Sequence, residues 1–446
     1  MARQMKDSGI EWIGEIPTEW HSIKVKYTSW LKGRIGWDGL KSTEYTEEGP
    51  YLITGTDFSK GMINWKTCVH ISEKRFEEDV DIHIQENDLL ITKDGTVGKV
   101  AIAKYCPPKV SLNSGVLLIR NLSHFKYDAK YMYFVLLSDV FWRWYQLSQT
   151  GQSTIKHLYQ EQFYNFEYPF PPLAEQHRIA DFLDRKCAEI DAVIERTKAT
   201  IEEYKKLKQA VITEAVTKGV RGARKMKDSG IEWIGEIPEE WIMRKLKSFS
   251  CIISKGATPK DIAKEVGSSY PIRFLKSENI VDNQLTLNPE FYISSDVHNG
   301  ELKRSALSCD DILFVIAGAS IGKVALMDAA LLPANTNQAV SFVRVSKEYV
   351  NVKRFIWYVL QSKIMKTYIS LFAVQSAQPN MSMEDLGDFR MPFTQSNDEI
   401  TEITLYLDRQ CSELDTLITK KTALLTELET YKKSLIYEYV TGKKEV

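Results

Sequence analysis

A sixteen-residue segment that occurs twice constrains this chain more than any other feature. Residues 5–20 read MKDSGIEWIGEIPTEW and residues 226–241 read MKDSGIEWIGEIPEEW, with one mismatch. At 446 residues the chain is too long for one ordinary hydrophobic core. Together, the length and the repeat predict a tandem duplication of one type of unit.

Shorter matching segments follow in the same order in both halves, and the sequence between them differs. The matched ranges are 88–101 with 311–325, 113–120 with 337–344, 131–138 with 355–362, and 183–191 with 407–415. We therefore expect one scaffold that carries two different variable faces.

The first part of each copy mixes strand and helix signals. Apolar runs at 88–92 and 116–119 predict short strands, and Asp94-Gly95 and Gly318 are turn signals. An aromatic helical stretch at 129–144 has its counterpart at 352–368. The pattern predicts an α+β domain of ordinary size in each copy.

The second part of each copy predicts a long amphipathic helix of about forty residues, or about 60 Å. Its a/d seam consists of Leu183, Cys187, Ile190, Ile194, Thr197, Ile201, Tyr204, Lys208, Val211 and Ala215, and adding 224 to each number gives Leu407, Cys411, Leu414, Ile418, Lys421, Leu425, Leu428, Lys432, Leu435 and Tyr439. An exposed helix of this kind needs a partner, and the partner we expect is its duplicate. Lys208 and Lys432 occupy the same seam position, where they either extend to the solvent edge or help to fix the register.

Composition and charge exclude several classes of protein. No apolar run spans a bilayer and no leader segment precedes the repeat, so we expect a cytoplasmic protein. Six scattered cysteines without a CxxC pair exclude a disulfide framework or a zinc knuckle. With 58 basic and 59 acidic residues the net charge is −1, so any surface that binds a polyanion must arise from local charge.

Motifs for catalysis are missing from the sequence. Neither Gly95–Lys99 nor Gly318–Lys323 has the spacing of a phosphate loop, and no Asn-Pro-Pro-aromatic signature of an amino-methyltransferase occurs. Asp296, Glu301 and Lys303 are a weak match to a nuclease site and have no equivalent in the first copy. The pattern favours a binding role over a fused nicking or methylating enzyme.

The repeated IEWIGEIP segment, the GKVA segment, the run PFPPLAEQ at 169–176 and the long helix after it together resemble the specificity subunit of type I restriction-modification systems. The resemblance covers nearly the whole chain. It implies two target-recognition domains separated by two long helices that form an antiparallel coiled coil. The expected bounds are 1–172 and 226–394 for these domains, 173–218 and 395–442 for the spacer helices, and 219–225 for a linker.

The resemblance also implies partners and cofactors. The chain would bind double-stranded DNA without catalysis and would bind no cofactor itself. Two modification (methyltransferase) subunits and restriction/translocase subunits would assemble with it and would use S-adenosylmethionine, ATP and Mg. Since the variable parts differ, the DNA site should be bipartite with unlike halves. The alternative from another class is a non-DNA interaction scaffold with two ligand-binding domains on a coiled-coil strut.

Polar, glycine-bearing stretches outside the apolar runs are the candidates for DNA contact, and we expect them in loops. In the first copy they are Lys32, Arg34, Thr54, Thr56, Lys93, Thr96, Gln152 and Ser153; in the second they are Lys255, Thr258, Lys260, Lys276, Ser277, Gln375, Ser376, Gln378 and Asn380. Each could equally be a solvated turn. Lys99 and Lys323 are shared by both copies, so they cannot encode a difference between the half-sites.

The tryptophans of the repeated segment, Trp12, Trp20, Trp233 and Trp241, leave three interpretations open. They close the edge of each domain, contact DNA, or form two equivalent surfaces for two copies of a modification subunit. We favour domain closure.

Overall fold

The computed structural model describes residues 3–34, 40–148, 156–372 and 380–446. It divides into two compact units, one formed by residues 1–198 with 423–446 and the other by residues 199–422. Each unit therefore contains one globular part and a portion of each of the two long helices.

The first unit contains the following elements: β1 (Met5–Asp7), β2 (Glu15–Pro17), β3 (His21–Lys24), α1 (Val25–Thr28), β4 (Ser29–Gly33), β5 (Thr46–Ile53), β6 (Phe58–Ser59), β7 (Met62–Ile63), β8 (Val69–His70), α2 (Glu73–Glu77), β9 (Leu89–Thr92), β10 (Val100–Ile102), β11 (Val110–Leu112), β12 (Val116–Asn121), α3 (Ala129–Leu137), α4 (Asp139–Ser148), α5 (Gln160–Tyr164), β13 (Glu167–Phe170) and the start of α6 (Leu173–Lys218).

The second unit contains the corresponding elements: β14 (Met226–Asp228), β15 (Glu236–Pro238), β16 (Ile242–Lys245), β17 (Ser250–Lys255), β18 (Ile272–Leu275), β19 (Ile280–Val281), β20 (Gln284–Leu285), β21 (Tyr292–Ile293), α7 (Ser295–Asn299), β22 (Ile312–Val315), β23 (Val324–Leu326), β24 (Ala334–Thr336), β25 (Val340–Val345), α8 (Lys353–Gln361), α9 (Lys363–Phe372), α10 (Met383–Asp388), β26 (Arg390–Phe393) and the start of α11 (Asn397–Val440).

The main sheet of the first unit is buried on both faces. Its strand order is β4-β12-β9-β10-β7-β6, and a smaller sheet of order β11-β5-β8 lies in the same unit. Along β9, Leu89 and Ile91 join the core that includes α3 and α4, while Leu90 joins a second core with Val110 and Leu112. Because alternate side chains enter different cores, the strand sequence has the continuous apolar run of a fully buried strand.

The second unit repeats this arrangement. Its main sheet has the order β17-β25-β22-β23 and its smaller sheet the order β21-β18-β24. Ile312 and Phe314 of β22 join the core beside α8 and α9, and Leu313 and Val315 join the core on the other face. The matched segments of the sequence thus form equivalent buried strands.

The aromatic stretch at 129–144 forms two helices, α3 and α4, where one helical stretch was expected. Ser138 ends α3 in an extended conformation, and its backbone N–H still donates to the carbonyl of Phe134. Its side-chain oxygen then accepts from the backbone N–H of Val140 at 3.2 Å. Ser362 ends α8 in the same extended conformation directly before α9. A serine stands at the break in both copies, and its hydroxyl donates to the carbonyl three residues earlier, that of Val135 at 2.7 Å and that of Val359 at 2.6 Å.

The a/d seam is confirmed along both long helices, since none of its twenty residues is exposed. Ion pairs between the helices give the direction of the chains. In the first unit Asp191 of α6 pairs with Lys432 of α11, and in the second unit Lys208 of α6 pairs with Asp415 of α11. Arg221 and Glu402 form a further pair in the second unit. In the first unit the ring of Phe182 also lies 4.5 Å from that of Tyr439. In each unit, the residue that lies later along α6, or just after its end, therefore meets the residue that lies earlier along α11, so the two helices pack antiparallel.

The structure favours the register interpretation of Lys208 and Lys432. The amino group of Lys208 donates to both carboxylate oxygens of Asp415 at 2.7 Å, and that of Lys432 donates to both oxygens of Asp191 at 2.6 Å. The two pairs are duplicates, because adding 224 to 191 and 208 gives 415 and 432. A shift by one turn would separate both pairs.

Candidate nucleic-acid interface

The turns that follow the central strands of the first unit meet at one edge, which we call the first loop edge (residues 33–34, 54–57, 93–98, 113–115 and 156–158). Hydrogen bonds between main-chain groups hold these turns together. Lys93 donates to the carbonyl of Gly115 at 2.9 Å, Leu158 donates to that of Lys93 at 2.9 Å, and Asn113 donates to that of Ile53 at 2.9 Å. The edge is thus a fixed platform of polar turns on a buried sheet.

The second unit has an equivalent platform, the second loop edge (residues 255–260, 276–279, 316–320, 337–339 and 380–381). Ile316 donates to the carbonyl of Ala339 at 2.9 Å, and Met381 donates to that of Ile316 at 2.8 Å. Asn337 donates to the carbonyl of Leu275 at 3.2 Å. These bonds repeat those of Lys93, Leu158 and Asn113, so the two edges share a backbone framework although their side chains differ.

Two candidates of the first copy lie in or directly after β4, and neither is exposed. The expectation of a loop is wrong for Lys32. Lys32 lies within β4, and its amino group bonds to Asp81 at 3.0 Å. Arg34 is 1% exposed, and its guanidinium donates to the carbonyl of Leu112 at 3.2 Å and to the hydroxyl of Ser111 at 3.3 Å. Arg34 lies outside the helices and strands, as expected of a loop residue, but it is buried and its guanidinium satisfies main-chain and hydroxyl acceptors inside the unit.

Thr54 and Thr56 lie in the turn after β5. The buried carboxylate of Asp57 accepts the backbone N–H and the hydroxyl of Thr54, each at 2.8 Å. Thr56 is exposed. In the second copy Lys276 stands at the position of Thr54, and its backbone N–H donates to Asn279 at 2.9 Å. Asp57 and Asn279 therefore brace equivalent turns that display different side chains.

Lys93 and Thr96 lie in the turn after β9. Thr96 is exposed, whereas Lys93 is half-buried. The Lys93 amino group lies 3.2 Å from the place that a Cβ would occupy at Gly33, so the glycine leaves room for it. Burial lowers the pKa of Lys93, and among the described residues no side-chain or main-chain acceptor bonds to its amino group. Its position in the second copy is taken by the buried Ile316.

The described candidates of the second copy are mostly solvent-exposed. Lys255 ends β17 and is exposed, as are Lys260 and Thr258, whose hydroxyl bonds to Gln338. The amino group of Lys276 lies 3.4 Å from the ring centre of Phe291. Ser277 opens a 3₁₀ turn and is half-buried, and Asn380 is exposed and bridges to Ala317.

Five further candidates lie outside the described residues. They are Gln152, Ser153, Gln375, Ser376 and Gln378. They stay predictions.

A buried ion pair present in both units was missed at the sequence level. Asp88 is 4% exposed and accepts from Arg120, whose Nε lies 2.8 Å from its Oδ1; Asp311 is 1% exposed and accepts from Arg344 at the same distance. Each pair joins the start of a central strand to its neighbour. The signal was available, because these aspartates and arginines recur at matched positions in both copies.

The shared GKVA segment owes its glycine to helix packing. Gly98 and Gly322 both have φ of +87°, which L side chains rarely adopt. A Cβ at Gly98 would lie 2.3 Å from the Trp142 ring of α4, and one at Gly322 would lie 2.6 Å from Ile369 of α9. The glycine of this segment therefore belongs to the scaffold.

Trp20 in the first unit and Trp241 in the second close the edge of their units, which agrees with the favoured interpretation. Trp20 is 1% exposed and its ring nitrogen donates to Glu175 at 2.9 Å; Trp241 is fully buried and donates to Glu399 at 3.1 Å. Trp12 is half-buried and donates to the carbonyl of Glu167 at 2.8 Å. Trp233 differs, since 37% of its surface is exposed.

The described residues meet the requirements of neither a metal site nor a membrane span. No group of three or more His, Cys, Asp or Glu side chains in this part of the chain is arranged to hold a metal ion. Burial raises the pKa of the Cys187 and Cys411 thiols in the helix seam to about 11, so both are largely protonated near neutral pH. No described helix combines the length and apolar composition of a membrane span.

A shared rigid framework with copy-specific polar turns defines a duplicated recognition protein. Residues 39–203 and 238–427 match the family model of the type I restriction modification DNA specificity domain, which covers well over half of the sequence. The chain belongs to this family and is a DNA sequence specificity subunit.

Known relatives align along nearly the whole chain. The type I restriction enzyme MjaVIII specificity subunit of Methanocaldococcus jannaschii is 25% identical over 436 residues, which cover 97% of this chain and 94% of the relative. The EcoBI specificity subunit of Escherichia coli is 26% identical over 442 residues, which cover 94% and 86%. A solved structure from work on complex assembly and conformational transition of the type I R-M system has a TM-score of 0.69 at 15% identity, covering 95% of this chain and 98% of that one. This likeness supports the fold.

Proposed function

We propose that the first and second loop edges each contact one half of an asymmetric, bipartite sequence in double-stranded DNA. The observation that carries this proposal is the repeated backbone framework with different side chains at equivalent positions. Lys93 corresponds to Ile316, and Thr54 corresponds to Lys276. We call each globular part with its loop edge a head. Two heads with the same backbone framework can approach DNA in the same orientation, whereas unlike side chains select unlike bases.

The candidates fall into two chemical classes. The exposed Lys255 and Lys260 suit phosphate contacts, which set affinity and position. Thr56, Thr96, Thr258, Ser277 and Asn380 are neutral groups that can donate to and accept from base edges. Lys93 is a base-reading candidate, because its partly buried amino group lacks an acceptor within the described part of the unit.

In this proposal the chain recognises DNA and its partner subunits carry out the chemistry. Two modification subunits that use S-adenosylmethionine and restriction/translocase subunits that use ATP and Mg assemble with it in the cytoplasm. The chain itself binds no cofactor. Membership of the specificity-subunit family supports this division of labour, and the alternative of a non-DNA scaffold has no comparable support.

Methylome sequencing tests the proposal directly. A host expresses this chain with its modification subunits, and the modified positions are mapped across the genome. We expect one motif with two unlike half-sites separated by a fixed gap of unspecified bases. A continuous motif, or a palindromic motif with identical halves, would contradict two heads of different specificity.

A further inference from the structure

The second unit contains a basic groove whose lysines are not repeated at the matching positions of the first copy. We define the lysine groove by Lys205, Lys206, Lys218, Lys363 and Lys366, which surround Trp233. It has a volume of about 760 Å³ and includes one carboxylate in its lining, that of Glu214. Ala210, Ile234 and Ile364 contribute apolar side chains to the same lining. A groove lined by lysines and apolar side chains suits a ligand that carries an anionic group next to an apolar group.

The first unit fills the equivalent place with its own side chain. Tyr437 stands at the position that Thr213 occupies in the second copy, and its hydroxyl donates to the carbonyl of Ile13 at 3.2 Å. Arg143 and Lys443 lie over the Tyr437 ring, at 5.4 and 4.5 Å from its centre. The cations of the first unit thus already have an aromatic partner from within the chain.

In the second unit the smaller Thr213 leaves the space open. Its hydroxyl accepts the backbone N–H of Lys363 at 2.9 Å, which fixes the start of α9 at the groove. Partial burial lowers the pKa of Lys366, since no carboxylate offsets its desolvation. Lys205 bonds to Glu202 at 2.9 Å, whereas no ion pair is formed by Lys206, Lys218, Lys363 or Lys366 within the described residues.

We propose that the lysine groove binds an acidic segment of a partner protein, with an aromatic or aliphatic side chain of that segment against Trp233. The net positive lining attracts carboxylates, and the exposed indole with its apolar neighbours favours a hydrophobic side chain. Because the first unit fills its equivalent place, the chain binds one such segment rather than two.

The position of the groove favours a protein over DNA. Lys363 begins α9, whereas Gly322, which follows the second loop edge, packs against Ile369 in the later half of that helix. The ten residues of α9 span about 15 Å. The apolar side chains of the lining also cannot form hydrogen bonds or ion pairs with phosphate groups. The inference does not depend on the proposed reading of DNA by the loop edges.

Fluorescence anisotropy with the full-length chain tests the proposal. The probe is a labelled nonapeptide of glutamates with a central phenylalanine, and its glutamine analogue is the uncharged reference. We expect the acidic peptide to bind with one-to-one stoichiometry and the analogue to bind at least tenfold more weakly. The double variant K363E/K366E should weaken binding of the acidic peptide about tenfold or more, because two attractions become repulsions.

Matched variants separate the groove from general charge. K303E/K347E changes the net charge equally at two exposed lysines of the same unit and should leave peptide affinity unchanged. Trp233→Ala removes the indole, and Thr213→Tyr introduces the side chain that fills the first unit; each should reduce affinity at least fivefold. Equal losses in K303E/K347E and K363E/K366E, unchanged binding by Trp233→Ala, or displacement of the peptide by a short DNA duplex would overturn the proposal.

Discussion

At the residue scale Lys93 distinguishes the two heads most clearly. Its amino group reaches the end of the main sheet beside Gly33 and lacks an acceptor among the described residues, while the second copy has the apolar Ile316 in its place. We expect Lys93→Met to weaken specific binding by about 1 to 3 kcal/mol and to relax base preference in one half-site only. Competition binding with oligonucleotides that vary each half-site measures both effects.

Lys126→Met is the matched control for that variant. Lys126 is exposed and follows the opposite end of β12, away from the first loop edge. We expect it to leave the preference for both half-sites intact. If the Lys93→Met variant keeps its base preference, Lys93 does not contact bases.

The buried pair of Asp88 and Arg120 gives a prediction for stability. Asp88→Ala leaves the Arg120 guanidinium without its carboxylate, and we expect the free energy of unfolding to fall by about 3 kcal/mol. Urea denaturation measures the change. Glu73→Ala, which removes an exposed partner of Lys109, should cost less than about 1 kcal/mol. Similar losses in both variants would mean that the Asp88 pair contributes no more than a surface pair.

Particular residues mark how far the sequence predicts the site. Polar residues that interrupt the apolar runs indicated turns at Thr54 and Lys276, but only the matching main-chain bonds of Asn113 and Asn337 show that the two turns are equivalent. The sequence did not reveal the burial of Arg34, because partners such as Ser111 lie far away in sequence and are brought near by tertiary packing alone. Asp88 and Arg120 were predictable in principle, since both recur at matched positions, but a repeat alone does not tell which repeated residues touch.

At the scale of elements the long helices were the most predictable part of the fold. Their seam follows from the periodicity of the apolar residues. The start of α6 after Pro171-Pro172 follows because proline is not tolerated in the interior of a helix. Periodicity could not identify Asp191 and Asp415 as the partners of the seam lysines, because it does not fix the stagger of an antiparallel pair. The break between α3 and α4 at Ser138 could not be predicted either, because aromatic residues at helical spacing continue on both sides of it.

We predict that the helices measure the distance between half-sites. A heptad inserted after both Lys198 and Thr422 preserves the seam and lengthens each helix by about 10 Å, equal to about three base pairs. The methylated motif of this variant should keep its half-sites and gain about three unspecified bases between them.

Four residues inserted after Lys198 alone provide the control, because four is not a multiple of the seven-residue repeat and the seam is broken. That variant should lose motif-specific methylation. An active double-heptad variant with an unchanged gap would mean that the helices do not set the spacing, and an altered half-site would mean that they also read bases.

At the scale of the whole molecule, near-neutral charge must coexist with DNA binding. We expect Lys and Arg side chains to form a local positive track, so the logarithm of the binding constant should fall linearly with the logarithm of salt concentration. Titrations at several salt concentrations give the slope. Lys260→Met should lower the magnitude of this slope by about one, which corresponds to the loss of one phosphate contact. Affinity that is independent of salt would contradict phosphate contacts.

Enzymatic silence is a second expectation for the whole molecule. The purified chain, supplied with S-adenosylmethionine, ATP and Mg, should neither methylate nor cleave DNA that contains its motif, because its sequence has neither a phosphate loop nor the signature of an amino-methyltransferase. Addition of the modification subunits should give methylation. Transfer of methyl groups by the chain alone would refute the recognition-only role.

The discontinuous first unit has a consequence for how the protein is made. Ile436, Tyr439 and Val440 lie in the same core as Ile13 and Trp20, and the hydroxyl of Tyr131 donates to the carbonyl of Val440 at 3.0 Å. The amino-terminal part, although translated first, cannot complete its core until residues 436–440 have been translated. The second unit consists of one continuous segment and can be finished earlier, so the usual vectorial order of folding is reversed in this polypeptide.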